Sequence, residues 1–240
     1  GERWSWILWY KDSETCQQYG HEWSRGCAEK GDVLCEYLYG WRVHLDPAFS
    51  KERAAAERKE YMGRSARQGF PEAMFKTARN ALADGDYQGA LRWFERACAA
   101  GDADACYQLA QITLMLASNQ EKGEDAGTSR PDWAQRHSAK AIAFFQAAAV
   151  AGSSPTRGAA YAMYNLGVAH LFGMGGLPRD PNLAAQWFEA SGLPEGMMAV
   201  SQHRTATGDS EAAAQWKAQA SSMGFASQER QAHMAQVGFA

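Results

Sequence analysis

The sequence predicts an all-α fold, an alpha-alpha superhelix of stacked helix pairs, and three observations predict it. An aromatic residue recurs eight positions before a glycine: Trp23 and Gly31, Tyr61 and Gly69, Trp93 and Gly101, Phe144 and Gly152, Trp216 and Gly224. Trp187 with Gly196 is a further copy after a one-residue insertion. Downstream of the glycine runs a second pattern, small-x-aromatic-x-x-small, as in CEYLYG (35–40), AMFKTA (73–78), ACYQLA (105–110) and AMYNLG (162–167). Self-similarity at such a period marks arrays in which each unit buries its apolar face against the next. The third observation is negative: no segment alternates like a strand between hairpin signals.

Local chemistry justifies each element in turn. The spacings i, i+4 and i+5 place Ala162, Leu166 and Gly167 on one helical stripe, and small residues there let a second helix come close. The glycine ending each second helix suits a left-handed cap. All seven prolines (47, 71, 131, 155, 178, 181 and 194) fall at inferred joints or first turns, where a missing N–H costs little. Residues 116–140 carry a polar insertion, and its Gly-, Asp-, Glu- and Ser-rich part, 119–135, reads as a mobile loop. The fifth copy of the second pattern, VSQHRT (200–205), has decayed. The expected layout is an aromatic N-terminal cap over 1–22 with Trp4, Trp6, Trp9 and Tyr10, a solenoid over 23–225, and a capping helix over 226–240.

Composition narrows the function classes. With 46% hydrophobic and 21% charged residues, the 240-residue chain is that of an ordered protein. A net charge of -3 points to neither nucleic acid nor an anionic membrane as partner. No apolar run approaches the roughly 18 residues that span a bilayer.

AMYNLGVAHLFGMGGLPRDPNLAAQWFEA (162–190) and DYQGALRWFERACAAGDADACYQLA (86–110) resemble the Sel1-like repeat family, whose pattern joins A-x-Y-x-L-G to A-x-x-W-F-x-x-A-A. The resemblance extends over residues 20–225, with Arg42 in place of a loop glycine and the 116–140 insertion as departures. It implies a Sel1/TPR-like solenoid whose first helices line a concave, protein-binding side. Counted from the small residue that opens each second pattern, offsets +3 and +6 lie away from the buried stripe. They give Leu38, Lys76, Gln108, Asn165 and His203, then Trp41, Arg79, Gln111 and Val168. The candidate partner-binding residues are Trp41, Lys76, Arg79, Gln108, Gln111, Asn165 and His203, a mixed polar face with one large aromatic.

Four of the five cysteines form two equal arrangements, Cys27 with Cys35 and Cys98 with Cys106, each spanning a Gly-Asp pair. On one straight helix, residues eight apart are separated by about 12 Å, too far for a disulfide. A chain reversal at Gly-Asp brings them within reach, and exported cysteine-rich Sel1-like proteins resemble the chain in this C-x7-C staple. Disulfides imply an oxidising compartment, periplasm or exterior, reached through an export signal removed before Gly1. The competing reading makes all five cysteines small buried residues of a cytosolic protein. On the disulfide reading Cys16 is left over: free, competing for Cys27, or bonded to another chain.

Catalytic motifs fail on spacing. HEWSR (21–25) has Arg25 where a zinc protease needs its second histidine, and GMGGLP (173–178) lacks both dinucleotide spacing and a preceding strand. Neither S-x-x-K nor G-x-S-x-G occurs. The histidines are scattered, and His170 occupies a packing position. No catalytic residue, metal site or cofactor is therefore expected. The resemblance extends to immunity proteins encoded beside antibacterial type VI secretion effectors of the phospholipase class, which implies a periplasmic chain, monomeric when free, that binds and blocks such an effector. A secreted adaptor or host-interaction protein and a beta-lactam-hydrolysing enzyme are the alternatives. Thiol titration of the denatured, unreduced chain should find one free thiol among the five cysteines; five free thiols contradict an oxidising compartment.

Overall fold

The computed structural model describes residues 24–46, 48–120, 130–151 and 156–224. All regular structure among these residues is helical. Helical residues 24–28 lead to α1 (Val33–Arg42), a 3-10 turn (Val43–Leu45), α2 (Lys51–Arg67), α3 (Pro71–Ala83) and α4 (Tyr87–Ala99). There follow α5 (Ala103–Gln120), α6 (Arg130–Val150), α7 (Arg157–Phe172), a 3-10 turn (Met174–Gly176), α8 (Pro181–Ser191), α9 (Pro194–Ala206) and α10 (Ser210–Ser222). The chain divides into two compact units, Gly1–Ala100 and Gly101–Ala240. In the first, α1 pairs with α2, α2 packs on α3, and α3 pairs with α4. In the second, α5 pairs with α6, α7 with α8 and α9 with α10, while α6 and α8 link successive pairs. This is the all-α helix-pair solenoid class that the repeats predict.

The Gly-Asp joints are built alike. Before α1, the Gly31 N–H donates to Ala28 O at 3.0 Å and the Asp32 N–H to Cys27 O at 3.3 Å, closing the preceding helix. Gly31 has φ 82°, a left-handed conformation that a side chain would strain. Asp32 then caps α1, its Oδ1 accepting from the N–H groups of Leu34 (3.1 Å) and Cys35 (3.0 Å). The reversal brings Cys27 and Cys35 together in a disulfide with Cα atoms 5.7 Å apart. Cys98 and Cys106 are also disulfide-bonded. The prolines at 71, 181 and 194 each begin a helix, where no N–H is needed.

Tyr61 is a core residue, but in three later copies the repeating aromatic is not. Trp93, Phe144 and Trp187 are half-buried, whereas the residue after each, Phe94, Phe145 and Phe188, is buried. These rings receive the aromatic of the first helix: Phe75 lies 5.7 Å from Phe94, Tyr107 6.0 Å from Phe145, and Tyr164 5.4 Å from Phe188. In the first pair the equivalent residue is Met62, and Tyr37 packs on Phe70 and Trp41 instead.

Two expectations are corrected. Gly196 does not end a second helix: Gly192, with φ 61°, caps α8, and Gly196 lies in the first turn of α9. A Cβ on Gly196 would stand 2.6 Å from Phe188 O, so its role is close approach rather than chain reversal. The insertion over 119–135 is not loop throughout, because α5 continues to Gln120 and α6 begins at Arg130. The segment PDWAQR (131–136) starts with proline and aspartate in the first turn and continues to the helix formers Ala134, Gln135 and Arg136. The aromatic cap 1–22, Cys16, Trp23, Gly152 and the capping helix 226–240 lie outside the described residues.

A Cβ on Gly167 would stand 2.6 Å from the buried Phe188 ring. Gly→Ala inside a helix ordinarily stabilises by about 1 kcal/mol. Gly167→Ala should instead destabilise by about 1–3 kcal/mol in chemical denaturation, through overpacking. A stabilised variant contradicts this close approach.

Candidate partner-binding surface

In the first unit, two of the sequence-predicted residues meet. Trp41, in the last turn of α1, remains 41% exposed, and Lys76 of α3 places its Nζ 4.7 Å from the Trp41 ring centroid. Arg58 of α2 approaches the same ring at 5.8 Å. Tyr37 stacks on Trp41 at 6.4 Å and tilts against Phe70 at 4.9 Å, so the indole is held by its neighbours. Arg79 is exposed, three residues beyond Lys76 on the same helix. The offsets find Trp41, Lys76 and Arg79 but miss Tyr37, Phe70 and Arg58. Tyr37 was visible as the aromatic of CEYLYG, whereas only the fold brings Arg58 and Phe70 to it.

Beneath this surface lies an ion pair that the sequence reading did not single out. Glu36 is 1% exposed, with Arg64 Nε 2.8 Å from its Oε1 and Gln68 Nε2 donating to its Oε2 at 2.6 Å. Ser65 Oγ donates to Val33 O at 2.8 Å. A buried carboxylate needs such partners. Together they lock α1 to α2 one residue after Cys35, fixing the helix that carries Trp41.

In the second unit the predicted residues are more engaged with their own helices. Gln111 Nε2 donates to the Tyr107 hydroxyl and Asn165 Nδ2 to Tyr161 O, both at 2.7 Å. Arg157 stands 5.6 Å from the Tyr161 ring, which lies 5.9 Å from Tyr107. Gln108 and His203 are half-buried on α5 and α9. Val168 is absorbed into the core around Phe188 and Val200. An apolar cavity of about 50 Å³ opens between α5, α6 and α7, lined by Leu114, Ile142, Phe145 and Val168 with Ser138 and Asn165 at its polar edge. His170 is buried, as a packing position requires, and its carbonyl accepts from the Asp180 N–H at 2.8 Å.

Stacked helix pairs with staples in the joints define a helix-pair repeat scaffold, of the kind consistent with protein–protein interaction. Two stretches of the chain match the Sel1 repeat: residues 71–102, over α3–α4, and residues 160–192, over α7–α8. The structure is similar to a Sel1 repeat protein from Oxalobacter formigenes, with a TM-score of 0.62 at 20% identity over 86% of this chain and 80% of that one. A candidate Sel1 repeat protein from Klebsiella pneumoniae subsp. pneumoniae is similar at 19% identity over 90% of this chain and 98% of that one, with a TM-score of 0.46. No described helix is long and apolar enough to cross a membrane.

One buried phenol, Tyr39, and one half-buried phenol, Tyr164, give the fold a pH signature. Burial, reinforced by the Glu57 charge, pushes Tyr39 up to about 12, and burial with Glu195 pushes Tyr164 up to about 12. Because the folded values are raised, this stability is fully present below the unfolded value of 10.0 and is lost as pH rises towards 12. Unfolding free energy should fall over that window, with tyrosinate absorbance showing a late-titrating class. Titration of all tyrosines near their ordinary value contradicts the packing of these rings.

Proposed function

We propose that this chain is a non-enzymatic Sel1-repeat binding protein, and specifically a periplasmic immunity protein. It occupies an antibacterial type VI secretion effector of the phospholipase class. The observation that carries the binding reading is the Trp41 face: an exposed indole on a braced helix, approached by Lys76 and Arg58, with Arg79 exposed on the helix of Lys76. Tryptophan and arginine dominate binding energy at protein interfaces. A face held by packing, an ion pair and a disulfide loses little affinity to ordering.

The compartment is supported by the oxidised joints, since disulfides persist in the periplasm and exterior rather than the cytosol. An inhibitor of an enzyme that attacks envelope phospholipids has to meet it there. A scaffold acting by occupancy needs a tight, stoichiometric complex burying more than about 1,200 Å². In the second unit the candidate contact residues are Gln108, Gln111, Asn165 and His203.

Co-expression with the exported product of the adjacent gene tests the reading. Growth should be rescued and a one-to-one complex should co-purify. Trp41→Ala, and a joint change of Lys76 and Arg79 to Glu, should each weaken the complex by more than about 1 kcal/mol. His170→Phe should leave it intact. Killing that is equal with and without this protein, with no complex surviving purification, contradicts the immunity role.

A further inference from the structure

The second unit holds a small apolar cavity whose size and walls specify what can enter it, an inference that rests on the binding reading above. The cavity, of about 50 Å³, lies between α5, α6 and α7 and is walled by Leu114, Ile142, Phe145 and Val168. Met174 also lines it and is 41% exposed, so the cavity reaches the surface at the 3-10 turn after α7. That turn lies hard against α6. A Cβ on Gly175 would collide with the Ile142 side chain and stand 3.0 Å from the Ser138 carbonyl carbon. The mouth is thus a rim of closely packed glycine backbone with one long, flexible side chain, Met174, beside it. Ser138 and Asn165 form the polar edge, and the Asn165 amide is fixed by donating to Tyr161 O at 2.7 Å.

We propose that this cavity seats one branched aliphatic side chain, a leucine or valine in a segment of a partner protein, with the segment's backbone meeting Asn165 and Ser138. Size selects the side chain. An engineered apolar cavity of about 150 Å³ binds benzene, and this one has about a third of that space. It admits the end of an isobutyl or isopropyl group but not an aromatic ring, a sugar or a nucleotide base. A carboxylate or ammonium would lose its water against the apolar walls. The edge selects a peptide over a lipid. An amide and a hydroxyl offer both donors and acceptors, which match the N–H and C=O groups flanking a side chain, whereas an acyl chain has neither beside its buried end. Side chains that fill desolvated pockets are the contacts that dominate binding energy at interfaces.

The test uses the full, oxidised chain with labelled methyl groups, titrated with N-acetyl-leucinamide and followed by methyl NMR. Controls are N-acetylglycinamide, N-acetylphenylalaninamide and hexanoate. The methyl signals of Leu114, Ile142, Val168 and Met174 should shift with the leucine probe. It should bind at least about tenfold more tightly than the glycine probe, and more tightly than the phenylalanine probe. Filling the cavity from either wall, by Val168→Ile on α7 or Ala141→Val on α6, should weaken the leucine probe at least about fivefold while the circular dichroism spectrum is unchanged. No shift at these methyls, tighter binding of the phenylalanine probe, tighter binding of hexanoate, or unaltered binding by both variants each overturns the proposal. Rescue in co-expression without leucine-probe binding defeats this inference alone. Leucine-probe binding without rescue defeats the immunity reading alone.

Discussion

A Cβ on Gly167 would stand 2.6 Å from the Phe188 ring, and one on Gly40 would stand 3.2 Å from Met62. Both glycines close the small-x-aromatic-x-x-small pattern, and both partners follow the repeating aromatic of the second helix. The helices of a pair therefore meet where one side carries no side chain and the other a large one. Ala78 and Ala110 hold the same register, fully buried, opposite the helices of the buried Phe94 and Phe145. Close approach lets dispersion and apolar burial act over the whole contact and fixes the rotation of each helix about its axis. Once rotation is fixed, so is every other offset.

The surface chemistry follows from that rotation. Offsets +1, +4 and +5 of α1 (Glu36, Tyr39 and Gly40) turn inward, which leaves +6, Trp41, at the solvent boundary. The first pair departs from the others in one respect. Met62 stands where later pairs have phenylalanine, and Tyr37 engages Trp41 and Phe70. Glu36, Arg64 and the Cys27–Cys35 disulfide hold the same helix from below and from its N-terminal end.

Much of this was legible in the sequence because repetition reports packing directly. The period, the Gly-Asp joints and the C-x7-C spacing each recur, so a chance match at one place is exposed by its absence at the next. What recurs less was harder to read. Trp93 and Trp187 are the more conspicuous residues of WF, yet the phenylalanine after each is the one buried, because helix rotation decides which neighbour points inward. Gly196 fitted the glycine spacing only through an insertion, and the capping role falls to Gly192. The Glu36–Arg64 pair and the approach of Arg58 to Trp41 join different helices without a spacing rule, so only the fold reveals them.

Protein recognition through the first-helix face is the account's central claim, and hydroxyl-radical footprinting of the chain, alone and with the adjacent gene's product, tests it most directly. Trp41 and Tyr37 lie on that face, whereas Tyr87, 72% exposed at the start of the second helix α4, is an internal control. The account predicts that Trp41 and Tyr37 lose reactivity in the complex while Tyr87 keeps it. Unchanged oxidation of Trp41, with protection of Tyr87, would contradict it.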